Sequence, residues 1–407
     1  MDANFEVVVV GGGAAGCAIA ASLKKRQPGL RIAIIDPADH HYYQPAWTLV
    51  GAGEFDIDKT RHPMEACIPS GVVWLRAAVT GFLPAENAVT TDILGNICYE
   101  QLVVAAGIQL NWSAIIGLTA TLGQHGVTSN YRADLAPYTW QLVQSLQAGK
   151  AVFTQPPMPI KCAGAPQKAL YLSCAEWLAQ GRLRNIQAVF YSATPTLFGV
   201  KEYVEPLMQY IRRYQVDLHL NSTLVEVDGP GKTAWFNTQD AAGKISRVST
   251  TFDMLHVVPP QSAPAFIHQS PLANAEGWVA VDQHTLQHQQ YANIFGVGDC
   301  TSTPNAKTAA AARKQVVIAA ENLLAQRAGQ TLPSRYDGYG SCPLTVEKGK
   351  IILAEFAYGG KLVPTFPWDS TRPRRSAWLL KKYLLPAVYW KLMLKGREWL
   401  ARCGACG

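Results

Sequence analysis

Three glycines near the N-terminus, Gly11, Gly13 and Gly16, stand at the GxGxxG spacing, and the chemistry of that spacing is anion binding by bare backbone. Gly11 permits a tight turn, Gly13 lets a pyrophosphate approach the main chain, and Gly16 lets the following helix pack closely on its sheet. Ala14 and Ala15 lie between them, at the predicted helix start. The spacing alone is weak evidence, because glycines also make ordinary turns. Here a β-branched run at 5–10 precedes it, an Ala-rich helical stretch to Leu23 follows, and a second strand at 31–35 ends in Asp36. That carboxylate falls twenty residues past Gly16, where the fingerprint places a partner for a ribose hydroxyl. Strand, loop, helix, strand and acid together predict a βαβ dinucleotide site.

Cys162 is the second suggestive residue. It follows an apolar strand at 150–154 and lies within the proline-rich stretch 155–166; a helix should open near Pro166 and run through Cys174 and Trp177. Prolines lack N–H donors and fix φ, so this stretch is a poor cradle for a second pyrophosphate. A sulfur just before a helix N-terminus is favoured as a thiolate, and Lys161 and Lys168 add positive charge nearby.

Two later segments, 102–107 and 294–300, are apolar strands ending at glycine. They resemble the later FAD motifs of flavoprotein disulfide reductases with two dinucleotide domains. That resemblance implies FAD as cofactor, with Ala106, Gly107, Gly298 and Asp299 among its contacts. Relatives that use NAD(P)H carry a second Gly-rich loop between the FAD halves. In this chain the loop is gone and Cys162 stands in its place, so the electron donor should not be a nicotinamide.

The resemblance then becomes specific. Residues 159–168 (PIKCAGAPQK) and 336–345 (YDGYGSCPLT) resemble the two cysteine motifs of sulfide:quinone oxidoreductases, in particular the mitochondrial-type branch with two catalytic cysteines. Residues 41–53 (HYYQPAWTLVGAG) resemble its FAD-contacting loop, and 307–312 (KTAAAA) the segment whose helix start faces the flavin. The match runs in order from about residue 5 to 400. It implies Gln44, Val79 and Lys307 as further FAD-binding residues and a redox disulfide between Cys162 and Cys342. By that analogy Cys342 receives the sulfur as a persulfide, Cys162 is released beside the flavin, and Lys168 lowers the Cys162 pKa. Sulfide and a membrane quinone are then the substrates, and glutathione, sulfite or further sulfide the small nucleophilic sulfur acceptor. Cys17, Cys67, Cys98, Cys174 and Cys300 read as small buried hydrophobes, His40 and His41 as structural, and no metal site is expected.

The net charge of +7 is unevenly placed. From Ser370 onward nine basic residues and one acid give +8, which leaves the rest of the chain at −1. Trp, Tyr, Leu and Lys alternate over 378–395, and the lysines keep every apolar run far short of the roughly 20 residues a membrane-spanning helix needs. Such a tail should lie in a membrane interface, broken by Pro386 into two short helices. Phe356, Tyr358, Phe366 and Trp368 are candidates to line a quinone channel, and nucleic-acid binding is not expected. Residues 403–406 have CxxC spacing without a second pair, weak for zinc.

The expected fold is α/β, with two Rossmann-like three-layer domains of the disulfide-reductase type and a short C-terminal amphipathic helical region that binds membrane. Residues 1–110 and 290–335 should form the FAD domain, 111–289 a degenerate second domain with no NAD site, and 336–407 the region of the second catalytic cysteine and interface helices. No leader peptide is evident before the first strand. The expected setting is peripheral (monotopic) on a bacterial inner membrane, side open, with a mature mitochondrial inner-membrane form and a homo-oligomer both compatible. The competing readings are a type II NADH:quinone oxidoreductase and a flavin-binding sulfur sensor.

Overall fold

The computed structural model describes residues 5–399 and 401. Cys403 and Cys406 lie outside the described residues. Strand β1 (Phe5–Val10) leads into helix α1 (Ala14–Arg26), followed by β2 (Ile32–Ile35), β3 (Val72–Leu75), β4 (Val79–Leu83), β5 (Ala88–Thr91) and β6 (Asn96–Val104). Their sheet order is β3-β2-β1-β6-β5-β4. The long β6 changes partners along its length. Its last residues run parallel to β1, with Val8 opposite Leu102, while its first residues run antiparallel to β5, with Cys98 opposite Ala88. Val7, Val8 and Val9 are fully buried, as the unbroken β-branched run requires when both faces of a parallel sheet are covered.

A second parallel sheet is built from β7 (Val127–Thr128), β8 (Gly149–Gln155), β9 (Ile186–Ser192), β10 (Asp217–His219) and β11 (Met254–His256), in the order β7-β11-β8-β9-β10. Helix α2 (Ala165–Ala179) follows β8 and covers one face, burying Leu170, Cys174 and Trp177. An antiparallel sheet of residues 222–251 covers the other through Leu224, Val227 and Phe236. The chain then returns to the first sheet, where β12 (Ile294–Gly296) lies parallel to β6, and helix α3 (Ala309–Arg327) packs beside α1 in one core.

A hairpin of β13 (Gly340–Glu347) and β14 (Lys350–Phe356) packs on α2, with Cys342, Leu344, Val346, Ile352 and Ala354 in the core of the second domain. Cys342 is therefore on a strand, opposite Ala354. Pro343 beside it is tolerated because this sheet has only two strands, both of them edges.

The C-terminal region differs from expectation in two respects. Residues 375–391 form one uninterrupted helical run, in which α4 (Arg375–Leu379) passes through a π-turn (Leu380–Leu384) into α5 (Leu385–Lys391). Pro386 lies in the first turn of α5, where its missing N–H is accommodated, and the wider π-turn before it relieves the ring without a break. The tail is also part of the body. Tyr389, Met393 and Leu394 are buried in the same core as α1, and Arg26 pairs with both Glu398 and Glu321. Among the described residues no helix is long and apolar enough to cross a membrane.

Candidate active site

The GxGxxG loop has the shape that each glycine requires. Gly11 has φ +101°, and a Cβ there would lie 2.6 Å from the Ala105 carbonyl oxygen. At Gly16 a Cβ would come within 1.8 Å of the Gly11 oxygen, whereas Gly13 faces open space. The Asp36 carboxylate accepts from Gly12 N at 2.6 Å and from Ala38 N at 2.8 Å, which fixes it at the end of β2. Helix α1 has no side-chain cap and no acid in its first turn. An open glycine before an uncapped, acid-free helix start is a seat for a phosphate group. Ala106 lies against Gly11 and Ala15 against Gly298, so the two ends of the sequence motif meet. Gly107 and Gly298 have φ +72° and +79°. These residues fit the pyrophosphate of FAD. The Val79 side chain packs in the buried cluster of Val10, Ile35 and Ala77 at the end of the same sheet.

Gly16→Ala should therefore cost the cofactor. The clash is with backbone and cannot be relieved by a rotamer change, and overpacking of this kind costs about 1–3 kcal/mol or more. The variant is expected to purify with little flavin, read as the ratio of flavin to protein absorbance.

The two cysteines meet. Cys162 Sγ and Cys342 Sγ are 3.7 Å apart across 180 residues of sequence. Cys162 has φ +53° and sits at the turn before α2, its N–H donating to Lys307 O at 2.8 Å and its carbonyl accepting from Ala165 N at 2.7 Å. The loop of the second domain is thus pinned to the segment that follows Gly298-Asp299. Lys307 in turn donates from Nζ to the carbonyls of Asp299 (2.8 Å) and Thr301 (2.9 Å) and lies over the Trp278 ring. Lys161 Nζ donates to Gln44 Oε1 at 2.7 Å.

Charge around the sulfurs is one-sided. Lys168 Nζ is 3.0 Å from Cys162 Sγ. The Cys342 thiol donating to Cys162, helped by the Lys168 ammonium against burial, holds Cys162 well below the usual thiol range. The same hydrogen bond, together with burial, pushes Cys342 well above it. One proton is shared by the pair and resides on Cys342, so Cys162 is the thiolate and the better leaving group. Burial would lower Lys168, but the two sulfurs outweigh it and raise its pKa. Burial lifts the Asp299 carboxyl, opposed by the Lys307 and Lys161 ammoniums.

Sequence reasoning missed Lys381. It lies in the stretch expected to sit in a membrane interface, yet it is 5% exposed, with Nζ 3.2 Å from Thr345 Oγ1 and 3.4 Å from Thr48 Oγ1. Burial, then the neighbouring Lys168, pushes it down to about 7. The sequence carries no signal that singles it out, because adjacent helical side chains point only about 100° apart and two neighbouring lysines can both face outward from a packed helix. Lys382 instead pairs with Glu54 at 2.7 Å.

One other expectation is corrected. Cys98 is exposed rather than buried, because it occupies a solvent-facing position on β6 beyond the covered parallel part; Cys17, Cys67, Cys174 and Cys300 are buried. Phe356 packs edge-on to Phe198, Tyr358 on Tyr336, and Phe366 stacks with Trp368.

A phosphate-binding βαβ unit and a paired thiol and thiolate, in a second domain without a Gly-rich loop, define a flavoprotein of the disulfide-oxidoreductase class. Residues 5–143 match the family model for pyridine nucleotide-disulphide oxidoreductases. Over 393 residues the chain is 40% identical to the mitochondrial sulfide:quinone oxidoreductase of Mus musculus, covering 97% of this chain and 87% of that one. The Dictyostelium discoideum protein of the same name is 41% identical, over 96% and 86%. The crystal structure of the sulfide:quinone oxidoreductase of Aquifex aeolicus superposes with a TM-score of 0.77 at 20% identity, over 97% of this chain and 92% of that one. The chain belongs to the sulfide:quinone oxidoreductase family.

Proposed function

We propose that the chain oxidises sulfide at the Cys162–Cys342 pair and delivers the electrons to a membrane quinone. The observation that carries this reading is the pair itself, two sulfurs in contact with a buried lysine beside one of them. In the oxidised pair, hydrosulfide forms a new S–S bond at Cys342 while the Cys162–Cys342 bond breaks. The sulfide sulfur gives up two electrons and becomes the outer atom of a persulfide, and Cys162 leaves as a thiolate that Lys168 and Lys381 stabilise. A second nucleophile (glutathione, sulfite or another sulfide) takes that outer sulfur and leaves Cys342 reduced. The pair must then lose two electrons to close again. FAD, held by the loop of Gly11, Gly13 and Gly16, by Asp36 and by the Ala106-Gly107 and Gly298-Asp299 turns, supplies the two-electron acceptor and the connection to quinone.

The domain limits given above, 1–110 with 290–335, 111–289 and 336–407, form part of this reading, with Gln44, Val79 and Lys307 as further FAD contacts. So does attachment of the tail to a membrane surface, on our reading that of a bacterial inner membrane. The exposed Leu379, Tyr383 and Leu384 of one turn support it, since a quinone is reached only from the bilayer.

Anaerobic addition of sulfide should bleach the flavin absorbance, NADH should not, and a quinone should restore the colour. Bleaching by NADH alone would select the NADH:quinone oxidoreductase reading. Bleaching by sulfide that no quinone reverses would select the sensor.

A further inference from the structure

The C-terminal helix reaches the nucleotide loop as well as the cysteine pair. Gly12, between the first two fingerprint glycines, is held through both of the peptide units that flank it. Its N–H donates to Asp36 Oδ2, while its carbonyl lies 2.9 Å from His41 Nδ1 and 3.1 Å from Cys17 Sγ. His41 Nε2 is in turn 2.5 Å from the Tyr389 hydroxyl, which α5 brings from 348 residues away. Both side chains are buried, His41 at 2% exposure and Tyr389 at 4%. Around them Tyr43 packs 4.7 Å from the Tyr389 ring and Trp390 5.6 Å from the imidazole, and His62 meets Trp390 at 4.2 Å.

Burial pushes His41 down to about 4, so the ring is neutral at ordinary pH. A neutral imidazole has one donor and one acceptor nitrogen. A carbonyl can only accept, which requires the proton on Nδ1, and Nε2 must then accept from Tyr389. The carbonyl thereby fixes the tautomer, and the Tyr389 hydroxyl, donating to Nε2, holds the ring in the orientation that keeps Nδ1–H on the Gly12 carbonyl.

We infer that Tyr389 and His41 form a latch that keeps the Gly12 carbonyl turned away from the phosphate seat, so that the membrane-proximal helix sets how tightly FAD is held. The physical cause is electrostatic. A free Gly12 carbonyl can rotate toward the seat, where its negative end would oppose a pyrophosphate, and glycine offers no steric barrier to that rotation. His41 and Tyr389 are positioning residues that act through the peptide. The inference rests on the reading that this loop binds FAD.

The test is the dissociation constant of FAD for the folded, flavin-stripped protein, read by quenching of flavin fluorescence, together with the unfolding midpoint without FAD. Tyr389→Phe removes one hydroxyl from a buried network and should weaken binding about 10-fold. His41→Leu should weaken it at least as much. His41→Asn, whose amide N–H can take the place of Nδ1–H, should recover most of the affinity. Trp390→Phe, which alters packing alone, should bind as the unmodified protein does. The latch is overturned if Tyr389→Phe binds within twofold of the unmodified protein, if His41→Asn is no better than His41→Leu, or if Trp390→Phe loses as much. Should Tyr389→Phe fail to fold, the comparison of the two His41 variants decides alone. Failure of the unmodified protein to take up FAD would overturn the cofactor reading itself, a result distinguishable from all of these.

Discussion

Replacement of either sulfur, Cys162→Ser or Cys342→Ser, is expected to slow anaerobic reduction of the flavin by sulfide by on the order of 10³-fold or more, with FAD still bound. A hydroxyl cannot form the disulfide that sulfide attacks or accept its sulfur, so the covalent route ends with either change. The double variant should be no slower than the slower single one, because the two sulfurs act as one unit. Neither serine should disturb folding much, since an oxygen in place of sulfur changes little volume. Stopped-flow absorbance after mixing with sulfide measures the rate. Sulfide-dependent quinone turnover that persisted in both variants would remove the proposed chemistry.

Lys168→Met is expected to have the next largest effect. It leaves a buried thiolate without its nearest counter-charge, a loss of about 3–5 kcal/mol, or on the order of 10²–10⁴-fold in the population of the reactive form. The direction with pH follows from the sign of the shift. Cys162 is depressed, so its thiolate persists as pH falls below the ordinary thiol range and is lost only as pH falls through the depressed value. Without Lys168 that transition moves upward, toward the roughly 8.5 of a free thiol. The defect should be severe at neutral pH and shrink as pH rises. The rate of alkylation by iodoacetamide against pH, measured on the reduced enzyme, reports the transition directly. An unchanged profile in Lys168→Met would mean that the ammonium 3.0 Å from the sulfur does not set its charge.

Truncation of the tail at residue 376 is a poor way to separate membrane binding from catalysis. The segment that exposes Leu379, Tyr383 and Leu384 also buries Lys381 beside the hydroxyls of Thr48 and Thr345, Tyr389 against His41, and Met393 and Leu394 against α1. Substitution of the exposed side chains alone preserves the body.

What the sequence determined by itself was local. A β-branched run entering GxGxxG and a carboxylate twenty residues on specify a βαβ unit, because each glycine answers a steric demand of that one turn. Prolines after β8 exclude a second phosphate cradle for an equally local reason. Cys162 before a helix start could be judged thiolate-prone from its neighbours in the chain. The pairing with Cys342 came from motif resemblance, and no spacing rule joins sulfurs 180 residues apart.

Only the tertiary structure decided which way the tail faces. Lys381, Lys382, Tyr383 and Tyr389 are alike in composition to an interfacial helix, and period alone does not say which stripe of an amphipathic run meets protein and which meets lipid. Packing on α1 and the hairpin settles it, turning Lys381 and Tyr389 inward and leaving Tyr383 outside. Cys98 shows the same limit in a strand, where alternation fixes that successive side chains oppose each other, but the covering layer determines which of them is buried.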